Sequence, residues 1–64
     1  MEIAPGLLAV VRLRGRKDLY VVVAENPALR QVDLSSITGK HHVMRGVPLK
    51  ELFEMVEGPP KGQD

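Results

Sequence analysis

Four cations, Arg12, Arg14, Arg16 and Lys17, crowd the stretch VRLRGRKDLYVVVA (Val11–Ala24) between two runs of strand-forming residues. Arg presents a planar fork of donors that matches phosphate or carboxylate. If Leu13–Lys17 is a hairpin tip, Arg14, Arg16 and Lys17 project together into solvent. A few such cations give micromolar, salt-sensitive binding to a polyanion, because each neutralised phosphate releases counterions. The competing reading is a solvated turn whose charges discourage edge-to-edge strand pairing. Arg45, with Lys40 and Arg30, enlarges the patch only where the loops converge. Single-stranded nucleic acid also wants an aromatic platform. Of Tyr20 and Phe53, the only aromatics, Tyr20 is the candidate. Between Leu19 and Val21 it reads as a core-edge residue with its hydroxyl at the surface.

Other reactive side chains point to less. His41 and His42 are adjacent, so on a strand they face opposite ways and cannot readily share a metal ion. Ser35, Ser36, Asp33 and the histidines hold the ingredients of a nucleophilic triad without nucleophile-elbow spacing. SSITGK ends in Gly-Lys, but it lacks the first glycine and the following hydroxyl of a phosphate loop. The expectation is no enzyme activity, no metal site and no cofactor.

Sixty-four residues make one small domain. A chain of this length buries only about 60% of its unfolded surface. Small domains compensate with disulfides, a metal or a partner chain. There is no cysteine, so efficient packing or self-association is left. The net charge of +1 hides an asymmetry. Residues 1–48 carry seven Lys/Arg against four acids (+3), and residues 49–64 carry two against four (−2). Glu51, Glu54 and Glu57 offer an acidic counterpart to the basic loop. No apolar run approaches the roughly 20 residues that span a bilayer, and MEIAPGLLAV lacks the basic start of a signal peptide. A cytoplasmic protein with no membrane contact is expected.

Four strands are predicted. Pro5-Gly6 is a turn, and Leu7–Leu13 follows with Leu7, Ala9, Val11 and Leu13 on one face and Leu8, Val10, Arg12 and Arg14 on the other. RGRKD closes a hairpin onto Leu19–Ala24. Its Val21-Val22-Val23 run suggests a central strand buried on both faces. Asn26-Pro27 turns the chain. Gln31–Ile37 alternates cleanly, with Val32, Leu34 and Ser36 on one side. Gly39 marks the next turn and is able to take positive φ. HHVMRGV is the fourth strand, with Gly46 at a bulge or bend.

For PLKELFEMVEG, periodicity favours a helix from Pro48, since Leu49, Leu52, Phe53 and Val56 share one helical face. The rival reading has a 3₁₀ turn at PLKEL and a short fifth strand at FEMVE. Leu8, Val10, Val22 and Met55 exceed what so small a core can hold, and surplus apolar surface marks an interface.

The Pro-Gly lead-in, Leu7–Leu13, the Tyr-and-Val strand Leu19–Ala24, the alternating Gln31–Ile37, the Gly turn at Thr38-Gly39-Lys40 and the closing VPLKEL resemble the layout of the SH3-like small-barrel class. The resemblance covers about residues 5–56. The acidic, aromatic-rich groove of peptide-binding SH3 domains cannot be mapped onto two aromatics. The basic loop is more like that of KOW- and Sm-like barrels, which meet RNA or large assemblies.

The expected fold is mainly β: a small SH3-like antiparallel barrel or curled sheet of four to five strands with one short C-terminal helix or 3₁₀ turn. Residues 1–57 form the domain and 58–64 a flexible tail. The expected function is a non-enzymatic interaction module in a protein complex, its partner a protein or a second copy of the chain, with interface residues Leu8, Val10, Tyr20 and Met55. The alternative is an RNA- or DNA-binding barrel using Arg12, Arg14, Arg16, Lys17 and Arg45.

Overall fold

The computed structural model describes residues 4–60. Five strands, β1 (Val10–Leu13), β2 (Leu19–Asn26), β3 (Gln31–Ser36), β4 (Val43–Pro48) and β5 (Leu52–Glu57), form one antiparallel sheet in the order β4-β3-β2-β1-β5. Two 3₁₀ turns, Pro27–Leu29 and Leu49–Glu51, are the only helical pieces among the described residues.

The connection from β4 to β5 dictates a curl. These strands lie at opposite edges of the sheet, which places them about 19 Å apart if it is flat. Leu49–Glu51 alone joins them. Four residue steps reach at most about 14 Å, and a 3₁₀ turn less. The sheet therefore bends until the two edges flank the turn, without closing into a continuous ladder. Backbone hydrogen bonds fasten the turn at both ends. Leu49 N donates to Arg30 O (2.9 Å), and Arg14 N donates to Glu51 O (3.0 Å).

The concave side holds the core: Ala9, Val11, Leu13, Tyr20, Val22, Val32, Leu34, Val47 and Leu52, with Met44 and Leu49 packed against it. Alternation along β1 and β3 delivers these side chains as predicted, with Ser36 joining Val32 and Leu34 inside. The Ser36 hydroxyl is satisfied there, since it donates to Lys40 O (3.0 Å) and accepts from His42 N (2.8 Å).

The bulge at Gly46 is also present. Asp33 stands between the pairs Val32–Val47 and Leu34–Met44, so Arg45 and Gly46 together oppose it. Gly46 takes φ +65° and its N–H donates to Asp33 Oδ1 (2.9 Å). Gly39, at φ +70°, sits where a Cβ would lie 2.8 Å from Asp18 Oδ1. Asp18 in turn accepts from the Thr38 hydroxyl (3.2 Å), which itself accepts from Leu19 N (2.9 Å). The β3–β4 loop is thus clasped onto the start of β2.

Four expectations are corrected. Residues 49–57 form a 3₁₀ turn and β5, not the favoured helix. β1 needs a backbone partner on its second edge, and β5 supplies it. The helical spacing of Phe53 and Val56 is a by-product of two register shifts in β5, which turn both out to solvent. β2 is central, but Val23 is 45% exposed, so the valine run is buried on one face only. Val22 belongs wholly to the core rather than to a surface surplus. Tyr20 is fully buried, hydroxyl included, and packs edge-on against His42 at 5.9 Å between ring centroids. Residues 58–60 continue past β5 without secondary structure, and the rest of the predicted tail, 61–64, lies outside the described residues.

Candidate binding surfaces

The β1–β2 hairpin makes the basic end. Arg16 N donates to Leu13 O (3.2 Å), and Gly15 at φ +74° turns the chain with nothing within 4 Å of its Cβ position. Arg14, Gly15, Arg16 and Lys17 are all exposed there. The cations nevertheless differ. Arg12 points to the convex face and pairs with Glu54 (2.8 Å), its neighbour on β5. Arg14 folds back, with Nε donating to Lys50 O (3.3 Å) and the guanidinium 5.7 Å from the Phe53 ring centroid. Arg16 and Lys17 make no side-chain hydrogen bond or ion pair among the described residues.

Arg45 lies elsewhere. It sits on β4, three strands from β1 and beside Asp33. Strand spacing and rise put it about 20 Å from Arg12 around the sheet. The structure instead brings Lys50 to the hairpin, through the 3₁₀ turn that Arg14 grips. With it comes Phe53, 52% exposed on β5. A helical reading of 49–57 hides Phe53, because it puts the ring inside. The available signal was the alternative 3₁₀ reading of PLKEL, which returns the chain to β1.

The convex face is the second surface. Val10 pairs with Val21, Val21 with Ser35, and Ser35 with Val43, so three valines lie along one row across four strands. Val23 follows Val21 on the same strand, and Leu8 joins through its N–H to Val22 O (2.8 Å). Of these, Leu8, Val23 and Val43 are exposed and Val10 and Val21 half-buried. Leu8 stands at φ +66°, in the left-handed region, as the third residue of a turn closed by Ala9 N to Gly6 O (3.3 Å). Glycine or asparagine normally fills that turn position. An open cleft of ≈ 440 Å³ continues the face, lined by Leu8, Val10, Glu57, Gly58, Pro59 and Pro60. Of the predicted interface residues, Leu8 and Val10 lie on this surface. Met55 is exposed on the β5 edge, opposite Val11, and Tyr20 is inside.

His42 and Asp33 lie apart in separate contacts. His42 Nδ1 lies 3.0 Å from Lys40 O, His41 is exposed, and Asp33 is engaged at the Gly46 bulge. No group of three or more His, Cys, Asp or Glu gathers among the described residues. No described helix is long and apolar enough to cross a membrane. Comparison with protein-family models, curated proteins and solved structures finds no match for this chain.

Proposed function

We propose that this chain is a non-enzymatic interaction module that works docked to protein through its convex face, and that the docked protein is a second copy of itself. The observation that carries this reading is Leu8. A leucine 54% exposed at φ +66° breaks two local rules at once. The left-handed conformation costs a non-glycine residue about 1 kcal/mol or more, and exposure leaves its apolar surface wet. Strain that local contacts do not explain points to a use outside the monomer. The surroundings agree. Nine large apolar side chains are exposed among the described residues, as many as the nine in the core, and Val10, Val21, Val23 and Val43 form a patch with Leu8.

Charge complementarity supports a second copy as the occupant. Glu57 lies beside Val10 at the β5 edge, and Arg45 lies on β4 at the opposite edge. In an isologous pair, any contact between Glu57 and the partner copy's Arg45 is made twice. The patch is small beside the 20 or so residues a side of a standard interface. The expected dissociation constant is correspondingly weak, roughly 10–100 µM.

The strand order, with a 3₁₀ turn before the last strand, supports the finer reading of an SH3-like small barrel. Sedimentation velocity from about 10 µM to about 1 mM, bracketing that constant, tests the function. The sedimentation coefficient is expected to rise with concentration for the wild type and to stay at the monomer value for Val43→Lys. A monomer throughout for the wild type contradicts self-association.

A further inference from the structure

We infer that the basic end of the sheet binds single-stranded nucleic acid, with Phe53 and Arg14 as the stacking platform and Arg16, Lys17 and Lys50 as the phosphate contacts. This surface lies at the far end of β1 from Leu8 and Glu57, so the inference stands independently of self-association.

Three observations converge. First, Phe53 is half-exposed on an edge strand instead of buried. A register shift between Arg12 and Leu13 against β5 leaves it without an opposite residue, which turns its ring out. Second, Arg14 is anchored rather than free. Its backbone N–H holds Glu51 O, its Nε holds Lys50 O, and its guanidinium lies over the ring. Bases stack on aromatic rings and on guanidinium planes alike, so the pair offers a composite surface held in place before ligand arrives. Third, the same anchoring holds the Lys50 backbone against Arg14 at the hairpin that carries Arg16 and Lys17, and all three cations are exposed.

The local charge is favourable. Arg12, Arg14, Arg16, Lys17 and Lys50 against Asp18, Glu51 and Glu54 leave +2 here, although the whole chain carries only +1. Two of those acids are already engaged, Glu54 with Arg12 and Asp18 with Thr38. An exposed ring decides for a single strand over a duplex, because paired bases keep their π-faces stacked on one another. It also decides against an acidic peptide, which would use the cations and ignore the ring.

The test is fluorescence anisotropy with a labelled oligothymidine of about 15 nucleotides, long enough to cover a small-barrel site, at low salt and across a salt series. Binding in the micromolar range is expected, with a log–log salt slope near −2, as three single-strand phosphate contacts give. Phe53→Ala is expected to weaken binding about tenfold and leave that slope unchanged, while Phe53→Tyr restores the affinity. Arg16→Ala with Lys17→Ala is expected to flatten the slope by about 1.4. Circular dichroism of each variant confirms the fold. The inference is overturned by no binding at low salt, by Phe53→Ala binding as tightly as wild type, or by polyglutamate binding as tightly as the oligonucleotide. Val43→Lys, which breaks the proposed dimer, is expected to bind the oligonucleotide as the wild type does, so the two proposals fail separately.

Discussion

Tyr20 and Leu8 show how differently single residues serve this fold. Tyr20 fills the middle of the core, yet its fully buried hydroxyl has no hydrogen-bond partner among the described residues. A buried unpaired hydroxyl costs about 1–3 kcal/mol of desolvation. Tyr20→Phe is therefore expected to match or exceed the wild type, by up to about 1 kcal/mol in urea unfolding. A loss larger than that means that the hydroxyl is satisfied after all. Leu8 is the inverse case, a large side chain outside on a backbone meant for glycine. Leu8→Gly relieves the left-handed strain but adds freedom to the unfolded chain. The net expectation is a monomer about 0.5–1 kcal/mol more stable that associates less. A less stable Leu8→Gly monomer would show that the side chain serves its own fold, and would remove the main support for the convex-face interface. Neither behaviour was visible in the sequence. A tyrosine flanked by Leu and Val reads as amphipathic, and nothing in PGLLAV announces that the turn falls on the second leucine.

Among the elements, the turns carry more of the specification than the strands do. Gly39 and Gly46 each occupy positive φ with a side chain closing on them. A Cβ on Gly39 would meet the Asp18 carboxylate at 2.8 Å, and one on Gly46 would meet Gln31 Oε1 at 3.3 Å. Both alanine variants lose about 1–2 kcal/mol to the left-handed conformation alone. Gly39→Ala is expected to lose more in thermal unfolding, because Asp18 must also release Thr38. Equal losses would mean that the clasp between the β3–β4 loop and β2 contributes little.

These turns were legible, since TGK, RGRKD and the glycine in HHVMRGV all mark real breaks in the ladder. Alternation gave the core face correctly along Val10–Leu13 and β3, where one face is buried and one is wet, but Leu7 and Leu8, read as part of the first strand, lie in the turn before it, and Leu7 is exposed instead of inside. Residues 49–57 misled because a bulged edge strand and an amphipathic helix can present the same apolar spacing. Pairing with β1, a contact some forty residues away in sequence, settles the choice, and no local pattern encodes it.

At the scale of the whole molecule, one connection explains the shape and both surfaces. The three residues Leu49–Glu51 force the sheet to curl, which encloses an aliphatic core inside and spreads valines over the convex outside. The same turn brings Lys50 and Phe53 to the basic hairpin. Of the cations expected to act together, Arg14, Arg16 and Lys17 lie on one hairpin, Arg12 is paired with Glu54, and Arg45 stands on another strand. Composition could supply the cations and the surplus of apolar side chains, but only the curl decides which of them meet.

The most direct test of the convex-face assignment is an NMR concentration series. Amide spectra of the ¹⁵N-labelled protein would be recorded from about 20 µM to about 1 mM, spanning the weak affinity expected of so small a patch. Concentration-dependent shifts are predicted at Leu8, Val10, Val21, Val23 and Val43, with the Pro27–Leu29 turn and the Arg14–Lys17 hairpin unmoved. Spectra that do not change with concentration, or shifts gathered on the hairpin instead, contradict it.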